Sequence, residues 1–226
     1  MASARLTLFD LDHTLLSGDS DVLWCDFLIG RGLLDGADFA ARNADIEARY
    51  KNGSVTVQEF SEFYVGTLAG RSPEQWKSLR QDFFQQEIKP RLPQAAIDLV
   101  RRHLQAGDLV VLTSATNRLL TELTAPYLGI EHLIGTEPEL KDGVFTGRTT
   151  GVLNRRAGKV PRLHAWLAGR GQSLGQFHSA AYSDSMNDLP LLEAVNEPVA
   201  VDPDQRLAAI AGERGWKVLR LSSPGH

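Results

Sequence analysis

The chain has 226 residues, of which 42% are hydrophobic and 23% are charged, and its formal net charge at pH 7 is −4. These values are ordinary for a soluble globular protein with a real core, and a weakly acidic chain is not expected to bind nucleic acid. The single cysteine, Cys25, excludes an internal disulfide and is expected in the core. Because the sequence contains neither a long apolar run nor a signal-peptide pattern, we expect a cytoplasmic protein with no membrane partner.

Strand-like and helical segments alternate along most of the chain. The predicted strands are residues 5–10, 109–114, 177–183, 197–201 and 216–221. The predicted helices between them are residues 94–105, 117–128 and 158–167. Residues 144–150, which follow Asp142-Gly143, suggest one arm of a hairpin. This alternation predicts an α/β protein with a doubly wound, mostly parallel, Rossmann-like sheet and helices on both faces.

Residues 17–89 differ from the rest of the chain because they lack apolar β-runs and place aromatic residues, such as Phe60 and Tyr64, at helical spacing. Glycine-containing breaks divide this stretch into about four helices. The breaks fall at residues 30–36, 52–53 and 70–73. We therefore predict an all-α insertion at 17–89 and a core made of residues 1–16 and 90–226. We expect the aromatic stripe to form the interior of the insertion.

The first strand ends in two carboxylates, Asp10 and Asp12, and Thr14 follows them. Open α/β sheets place their chemistry at the carboxyl ends of their strands. If the strand persists, alternation points both carboxylates the same way. A cation would then relieve their repulsion, and Mg²⁺ prefers oxygen ligands of this kind. Taken alone, an Asp-rich turn explains the same residues.

The second strand of the predicted sheet ends in hydroxyl groups. The Ser114 hydroxyl and the backbone N–H groups from Ala115 onward are suited to holding a phosphate oxygen where a helix begins. Thr116 or Asn117 is the expected N-cap of that helix. A simple helix cap is the plainer interpretation of this segment by itself.

A lysine, Lys159, is the third candidate group, because its charge would neutralise both a phosphate and a nucleophilic carboxylate. Three other basic residues flank it, namely Arg155, Arg156 and Arg162. A solvated helix face therefore explains the segment equally well.

The strand at 177–183 ends in acids, with Asp184 directly after it and Asn187-Asp188 close behind. Asp184 would complete an oxygen-ligand metal site, and Asp188 would fix a metal-bound water or Lys159. A capped helix beginning at Ser185 is the alternative. The two acids together are more specific than a helix cap requires.

These four segments, in this order, resemble the haloacid dehalogenase superfamily of phosphatases, and more narrowly its phosphoserine-phosphatase-like branch. The resemblance extends from Leu6 to about Val201. It implies that Asp10 is the nucleophile, that Asp12 is the general acid and base, and that Mg²⁺ is the cofactor. It also implies that Asp12 meets the metal through its backbone carbonyl.

The resemblance further implies a metal site and a phosphate cradle. The metal residues would be Asp10, Asp12 and Asp184. The phosphate-binding residues would be Thr14, Ser114, Ala115, Lys159 and Asn187, with Asp188 behind them. One departure is Ser183, because members of the family usually carry glycine there.

In the family, the position of the insertion holds a helical cap that selects the substrate. Asp19 stands where phosphoserine-hydrolysing relatives place an acid for the substrate amine, and the matching cap segment offers Glu59 and Glu62 instead of an Arg. A substrate carboxylate would then lie unpaired, which is costly. We expect a cationic substrate, with histidinol phosphate or another amino-alcohol phosphate favoured. Phosphoserine remains the alternative, since Arg42 or Arg49 would be able to replace the missing Arg.

Two other classes of function fit part of the pattern. A receiver-like phospho-accepting module also combines acids, a hydroxyl, a lysine and Mg²⁺, but it is smaller and needs no insertion after the first strand. A binding protein with an inactive site is the third class, although no catalytic group is missing here. We therefore predict a phosphatase that acts on a small phosphorylated metabolite, with its oligomeric state left open.

Overall fold

A computed structural model describes residues 4–221 of the chain, which form one sheet flanked by helices. Its strands are β1 (Ala4–Phe9), β2 (Leu109–Asn117), β3 (His132–Lys141), β4 (Val144–Thr150), β5 (Phe177–Ser183), β6 (Glu197–Val201) and β7 (Lys217–Leu219). Their order across the sheet is β4-β3-β2-β1-β5-β6-β7. Every pair is parallel except β3 with β4. The predicted doubly wound, mostly parallel sheet is confirmed.

The central strand, β1, is where the direction of winding changes. The chain goes to one side of β1 to form β2, β3 and β4, and to the other side to form β5, β6 and β7. Ligands bind in the crevice that opens at such a switch point, beyond the carboxyl ends of the strands. The side chains of Leu6, Leu8 and Phe9 are almost completely buried, so the packed centre of the sheet fixes the point at which Asp10 emerges.

The stretch between β1 and the next core helix folds into α1 (Ser20–Gly30), α2 (Gly36–Lys51), α3 (Val57–Val65) and α4 (Pro73–Phe83), and a π-helical turn (Phe84–Ile88) follows. This agrees with the predicted number of helices. Phe60 and Tyr64 are buried with Cys25 and Phe39 in a small cluster of their own. The aromatic stripe and the cysteine are therefore interior residues, as expected.

The remaining helices are α5 (Gln94–Gln105), α6 (Arg118–Thr121), α7 (Thr124–Tyr127), α8 (Lys159–Ala168), α9 (Leu189–Glu193) and α10 (Gln205–Arg214). The prediction of one helix over 117–128 is wrong, because β2 continues to Asn117 and two short helices follow it. Pro126 has no N–H with which to bond the carbonyl of Glu122, and this breaks the helix. Within residues 4–221, no helix is both long and apolar enough to cross a membrane.

The helical insertion is bonded to the hairpin formed by β3 and β4. The N–H of Gly70 donates to the carbonyl of Phe145 at 2.9 Å, and the N–H of Phe145 donates to the carbonyl of Arg71 at 2.9 Å. The hairpin register shifts between Pro138 and Leu140. The hairpin is therefore joined to the insertion through the backbone of Phe145.

Candidate active site

The loop after β1 folds back on itself and sends its two acids in different directions. The N–H of Asp10 still donates to the carbonyl of Tyr182 at 3.0 Å, and the N–H of His13 donates to the carbonyl of Gly18 at 3.0 Å. Gly18 has a φ of +144°, a conformation that side-chain-bearing residues rarely adopt. Asp10 lies at the base of this loop and is only 7% exposed.

Lys159 lies between two carboxylates. Its Nζ is 2.6 Å from Oδ1 of Asp10 and 2.6 Å from Oδ2 of Asp188. Lys159 is the first residue of α8, and its side chain is buried. Burial alone would lower the pKa of Lys159, but the attraction of both carboxylates outweighs burial and holds that pKa above its ordinary value. A protonated lysine therefore lies beside the predicted nucleophile.

Ser183 supports this arrangement from the end of β5. Its hydroxyl donates to Oδ2 of Asp188 at 2.8 Å, the same oxygen that Lys159 contacts. The residue remains in the extended strand, so a side chain is accommodated where the family usually has glycine. The substitution therefore adds a hydrogen bond to the site without requiring an unusual backbone.

Thr14 links the two carboxylates that could hold a metal. Its Oγ1 is 3.2 Å from Oδ2 of Asp10 and 3.1 Å from Oδ1 of Asp184, and it accepts the N–H of Asp184 at 3.0 Å. Its single proton can satisfy only one of the two carboxylates at a time. Thr14 is buried away from the cavity described below. Its hydroxyl therefore orients the two acids, and its contact with phosphate stays a prediction.

The site holds an excess of negative charge. Burial raises the pKa of Asp10 well above its ordinary value, against the attraction of Lys159, and the neighbouring acids raise it further. Burial also raises the pKa of Asp184 to about 6. Asp10 and Asp188 contact Lys159, and Asp12 and Asp184 line the same cavity. An additional cation would relieve this repulsion.

The side chain of Asp12 turns toward α1 instead of toward a shared cation. Its Oδ1 accepts the N–H of Ser20 at 2.8 Å, and its Oδ2 accepts the hydroxyl of Thr116 at 2.9 Å. The prediction from strand alternation is wrong here, because β1 ends at Phe9 and the loop redirects the side chain. Burial, followed by repulsion from Asp19, raises the pKa of Asp12. A carboxyl with a raised pKa is suited to donating a proton.

The end of β2 bulges where its polar residues begin. The register with β3 shifts between Thr113 and Asn117, and Asn117 caps α6. Ser114 is fully buried, and its hydroxyl is 3.3 Å from Oδ2 of Asp12. Ala115 and Thr116 line the cavity, whereas Ser114 does not. The structure therefore places Ala115, but not the Ser114 hydroxyl, on the cavity wall, and the phosphate contacts of both residues stay predictions.

The donor set fits a Mg²⁺ ion. Within residues 4–221, no cluster of three or more Asp, Glu, His or Cys side chains forms a metal site. Asp10 and Asp184 nevertheless supply two hard carboxylates, and the main-chain carbonyl of Asp12 lies in the same loop. Mg²⁺ is usually held by one or two carboxylates together with water and substrate phosphate. The uncompensated charge and this donor set are therefore compatible with a bound Mg²⁺ ion.

These groups line a cavity of about 140 Å³. Asp10, Lys159 and Asp184 contribute to it together with Asn187, and His13 also lines it. Ligand pockets for drug-sized molecules are typically about 300–1,000 Å³. The cavity therefore suits a small phosphorylated metabolite, and a bulky ligand would require the walls to separate.

One side of the cavity is acidic, and Asp19 is the only residue of this side that was predicted to contact the substrate. Asp19 and Asp21 both line the cavity. Asp19 is the N-cap of α1 and accepts the N–H groups of Asp21 at 2.9 Å and Val22 at 3.1 Å. Burial raises the pKa of Asp21 well above its ordinary value, and Asp19 and Asp12 add to the shift. The sequence prediction did not include Asp21. The N-cap position of Asp19 was a signal that helix N–H groups would occupy the Asp19 carboxylate.

The roles of Glu59 and Glu62 in substrate specificity stay predictions, and in this structure both side chains have other partners. Glu59 closes the capping box of α3, where its Oε2 accepts the N–H of Thr56 at 2.7 Å. Glu62 accepts the N–H of Thr149 at 3.1 Å. Neither residue lines the cavity. Local capping and contact with the hairpin account for both side chains.

Two arginines from the loop before α8 line the cavity, namely Arg155 and Arg156. Nothing in the sequence distinguishes these two arginines except their position beside Lys159. Arg42 and Arg49, the predicted substitutes for a cap Arg, form exposed pairs with acids of their own helix, each at 3.3 Å, and neither lines the cavity. The positive groups of the cavity therefore come from the core.

Comparisons with known proteins agree with this geometry. A family model described as haloacid dehalogenase-like hydrolase matches residues 7–193. A histidinol-phosphatase from Neisseria meningitidis serogroup C (strain 8013) is 40% identical over 219 residues, which cover 96% of this chain and 99% of that protein. A phosphoserine phosphatase from Mycobacterium tuberculosis (strain ATCC 25618 / H37Rv) is 33% identical over 93% of this chain and 68% of that protein.

Solved structures show the same fold. A protein with unknown function from Bordetella pertussis Tohama I is 47% identical and superposes with a TM-score of 0.94, over 98% of this chain and all of that chain. A substrate-bound phosphoserine phosphatase is 16% identical and superposes with a TM-score of 0.67, over 97% of this chain and 94% of that chain.

Proposed function

This chain belongs to the haloacid dehalogenase-like hydrolase family and is a phosphatase, and from that premise we propose that it is a Mg²⁺-dependent enzyme that forms an aspartyl-phosphate on Asp10. The observation that carries the proposal is the 2.6 Å contact of Lys159 with both Asp10 and Asp188 inside a cavity that Asp184 also lines. This arrangement gives the Asp10 carboxylate a fixed positive partner, Lys159, and leaves the Asp184 carboxylate for a metal.

The first half-reaction transfers the phosphoryl group to Asp10. One carboxylate oxygen of Asp10 attacks phosphorus, the bond to the ester oxygen breaks, and Asp12 gives its proton to the leaving alcohol. The raised pKa of Asp12 favours the protonated form that this step needs. Lys159 neutralises Asp10 and lowers its repulsion with the phosphate.

The second half-reaction regenerates the enzyme. Asp12, now ionised, takes a proton from water as the water oxygen attacks phosphorus, and the bond between phosphorus and Asp10 breaks to release inorganic phosphate. Thr14 keeps Asp10 and Asp184 oriented throughout. A Mg²⁺ ion held by Asp10, Asp184 and the Asp12 carbonyl would stabilise the negative charge of the transferring group.

We favour an amino-alcohol phosphate such as histidinol phosphate as the substrate. Asp21 and Asp19 form an acidic side of the cavity, and a substrate ammonium group would relieve their repulsion. The relative that is 40% identical over nearly the full length of both chains is a histidinol-phosphatase. Both observations support a substrate with a cation close to its phosphate.

Phosphoserine is the second candidate, and one observation favours it. The argument from the missing cap Arg loses force, because Arg155 and Arg156 line the cavity and offer partners for a substrate carboxylate. The relative that is 33% identical is a phosphoserine phosphatase. The two candidates therefore differ in whether a carboxylate or only a cation is recognised.

The test is an assay of the purified protein with Mg²⁺ and a chromogenic phosphomonoester, followed by a panel of metabolite phosphates. We expect many turnovers per enzyme, loss of activity after chelation, and a higher kcat/KM for histidinol phosphate than for phosphoserine. A single labelled Asp without turnover would indicate a receiver-like module instead. Full activity after exhaustive metal removal would refute the metal-dependent mechanism.

A further inference from the structure

The loop that carries Arg155 is anchored to the ends of two core strands. The Nδ2 atom of its neighbour Asn154 lies 2.9 Å from each of three acceptors, which are Thr113 Oγ1, the Ser114 carbonyl and the Ile134 carbonyl. Asn154 is completely buried. Because buried hydrogen bonds of this kind are costly to break, the backbone position of Arg155 is fixed.

The shape of the same loop is also constrained on the other side of Arg155. A Cβ atom at Gly158 would lie 2.1 Å from the carbonyl oxygen of Leu153, so no larger residue fits there. Arg156 has a φ of +51°, in the left-handed region. The loop is therefore built to a defined conformation, and that conformation places Arg155 on the cavity wall.

The side chain of Arg155 has aromatic neighbours but no acceptor. Its guanidinium carbon is 4.5 Å from the ring centre of Phe60 and 5.4 Å from that of Tyr50. Its Nε is buried without a hydrogen-bond partner, and the side chain forms no ion pair with any residue between 4 and 221. Arg156 differs, because its Nε donates to Oδ1 of Asn187 at 3.2 Å.

Asp21 attracts the Arg155 guanidinium across the cavity, but the buried Nε still has no hydrogen-bond acceptor. The group has five N–H donors, and leaving a buried donor unsatisfied is unfavourable. The aromatic rings stabilise the positive charge. They cannot accept the hydrogen bonds that the N–H groups donate in the plane of the guanidinium. A planar guanidinium fits two oxygens of one anion, as carboxylates and phosphates provide. The missing acceptor therefore has the chemistry of an oxyanion.

We propose that Arg155 is a substrate-binding residue. Its N–H groups donate to an oxyanion of the phosphomonoester, while the rings of Phe60 and Tyr50 contact its guanidinium. The oxyanion is either the phosphoryl group itself or a carboxylate elsewhere in the substrate. The inference rests on the proposed function, because it takes the substrate to be a phosphomonoester. Arg155 would give the substrate a cationic contact in addition to Lys159. The core loop places this contact, and the aromatic residues of the helical insertion support it.

Binding measured without turnover tests this inference. In an Asp10→Asn background with Mg²⁺, calorimetry gives the affinities of inorganic phosphate, phosphoserine and phosphoethanolamine with and without Arg155→Met. If Arg155 receives the phosphoryl group, all three affinities fall by about tenfold to a hundredfold. If Arg155 receives a carboxylate, only phosphoserine weakens by that factor, because phosphoethanolamine lacks a carboxylate.

The matched control is Arg170→Met, which removes an arginine stacked on Trp166 at 4.8 Å outside the cavity and should leave every affinity unchanged. If Arg155→Met fails to fold, Arg155→Lys replaces it. That variant keeps the charge but loses the paired donors, and a severalfold weaker affinity is expected. Affinities within about twofold of the parent, or no measurable binding of any of the three ligands, would overturn the inference. Turnover of the wild-type enzyme separately tests the proposed function.

Discussion

Replacing Asp184 by Asn should stabilise the metal-free protein at neutral and alkaline pH. The amide keeps the shape of the side chain and an oxygen for the Thr14 hydroxyl, which lies 3.1 Å from Asp184 Oδ1. The substitution removes a charge that burial disfavours. Without a metal, the attraction of His13 and the hydrogen bond from Thr14 offset the cost of burying that charge only in part.

The magnitude follows from the pKa of Asp184, which rises from its ordinary value of 3.8 to about 6 in the folded protein. Because the folded state binds the proton more tightly, this group's contribution to stability is fully present below pH 3.8 and is lost as the pH rises through 6. At about 1.4 kcal/mol per pKa unit, the loss is about 2–3 kcal/mol. In the Asp184→Asn variant this loss is absent.

Thermal unfolding of both proteins in chelator, between pH 4 and pH 8, measures the effect. For a chain of this size, about 2–3 kcal/mol corresponds to an increase of about 4–12 °C in the Tm of the variant at pH 8. The difference should shrink toward zero at pH 4. A Tm difference that does not change with pH, or a variant that is less stable than wild type at pH 8, would refute the reasoning.

Adding Mg²⁺ should remove most of the stability difference between the two proteins. Saturation at about 100 times the dissociation constant stabilises a protein by about 2.7 kcal/mol, and Asp184 is a proposed ligand. The Tm of the wild type should therefore rise with Mg²⁺ and that of Asp184→Asn much less. Equal stabilisation of both proteins would remove Asp184 from the metal site.

Four further substitutions test the assignment of roles. Asp10→Asn should abolish turnover with the fold intact, since no nucleophile remains, and near-wild-type kcat would contradict the assignment. Asp12→Asn should slow turnover by about 10²–10⁴-fold and accumulate phosphoenzyme, which acid quenching would trap; no change in either quantity would exclude Asp12 as the acid and base. Asp21→Asn should lower kcat/KM for histidinol phosphate by about tenfold relative to a neutral phosphomonoester. Asp19→Asn should change that ratio less, because Asn caps a helix as well as Asp does, and the opposite ranking would restore Asp19 as the specificity residue.

The convergence of the acidic residues could be predicted because it depends on the sheet alone. Asp10 and Asp184 each follow a strand, and adjacent parallel strands, here β1 and β5, bring their carboxyl ends to one edge. Lys159 had no comparable local signal. The resemblance to a family selected it from four neighbouring basic residues, and the structure places it against Asp10.

The errors came from loops and from competing local interactions. The direction of Asp12 depends on a turn that begins where β1 ends, and strand alternation says nothing beyond that point. The prediction for Glu59 did not consider that Thr56 and Glu59 have the spacing of a capping box, a local pattern that occupies the glutamate. Arg155 could not be predicted, because its position depends on long-range hydrogen bonds of Asn154 to two strands.

The pairing of Gly70 and Arg71 with Phe145 has a consequence for how the protein unfolds. Because these bonds join segments more than 70 residues apart in the chain, the insertion completes its hydrogen bonding only when the hairpin is present. Trp24 and Phe83 of the insertion also belong to the same apolar cluster as Phe9 of the central strand. The insertion and the sheet should therefore melt in a single cooperative transition, and residues 17–89 expressed alone should not fold.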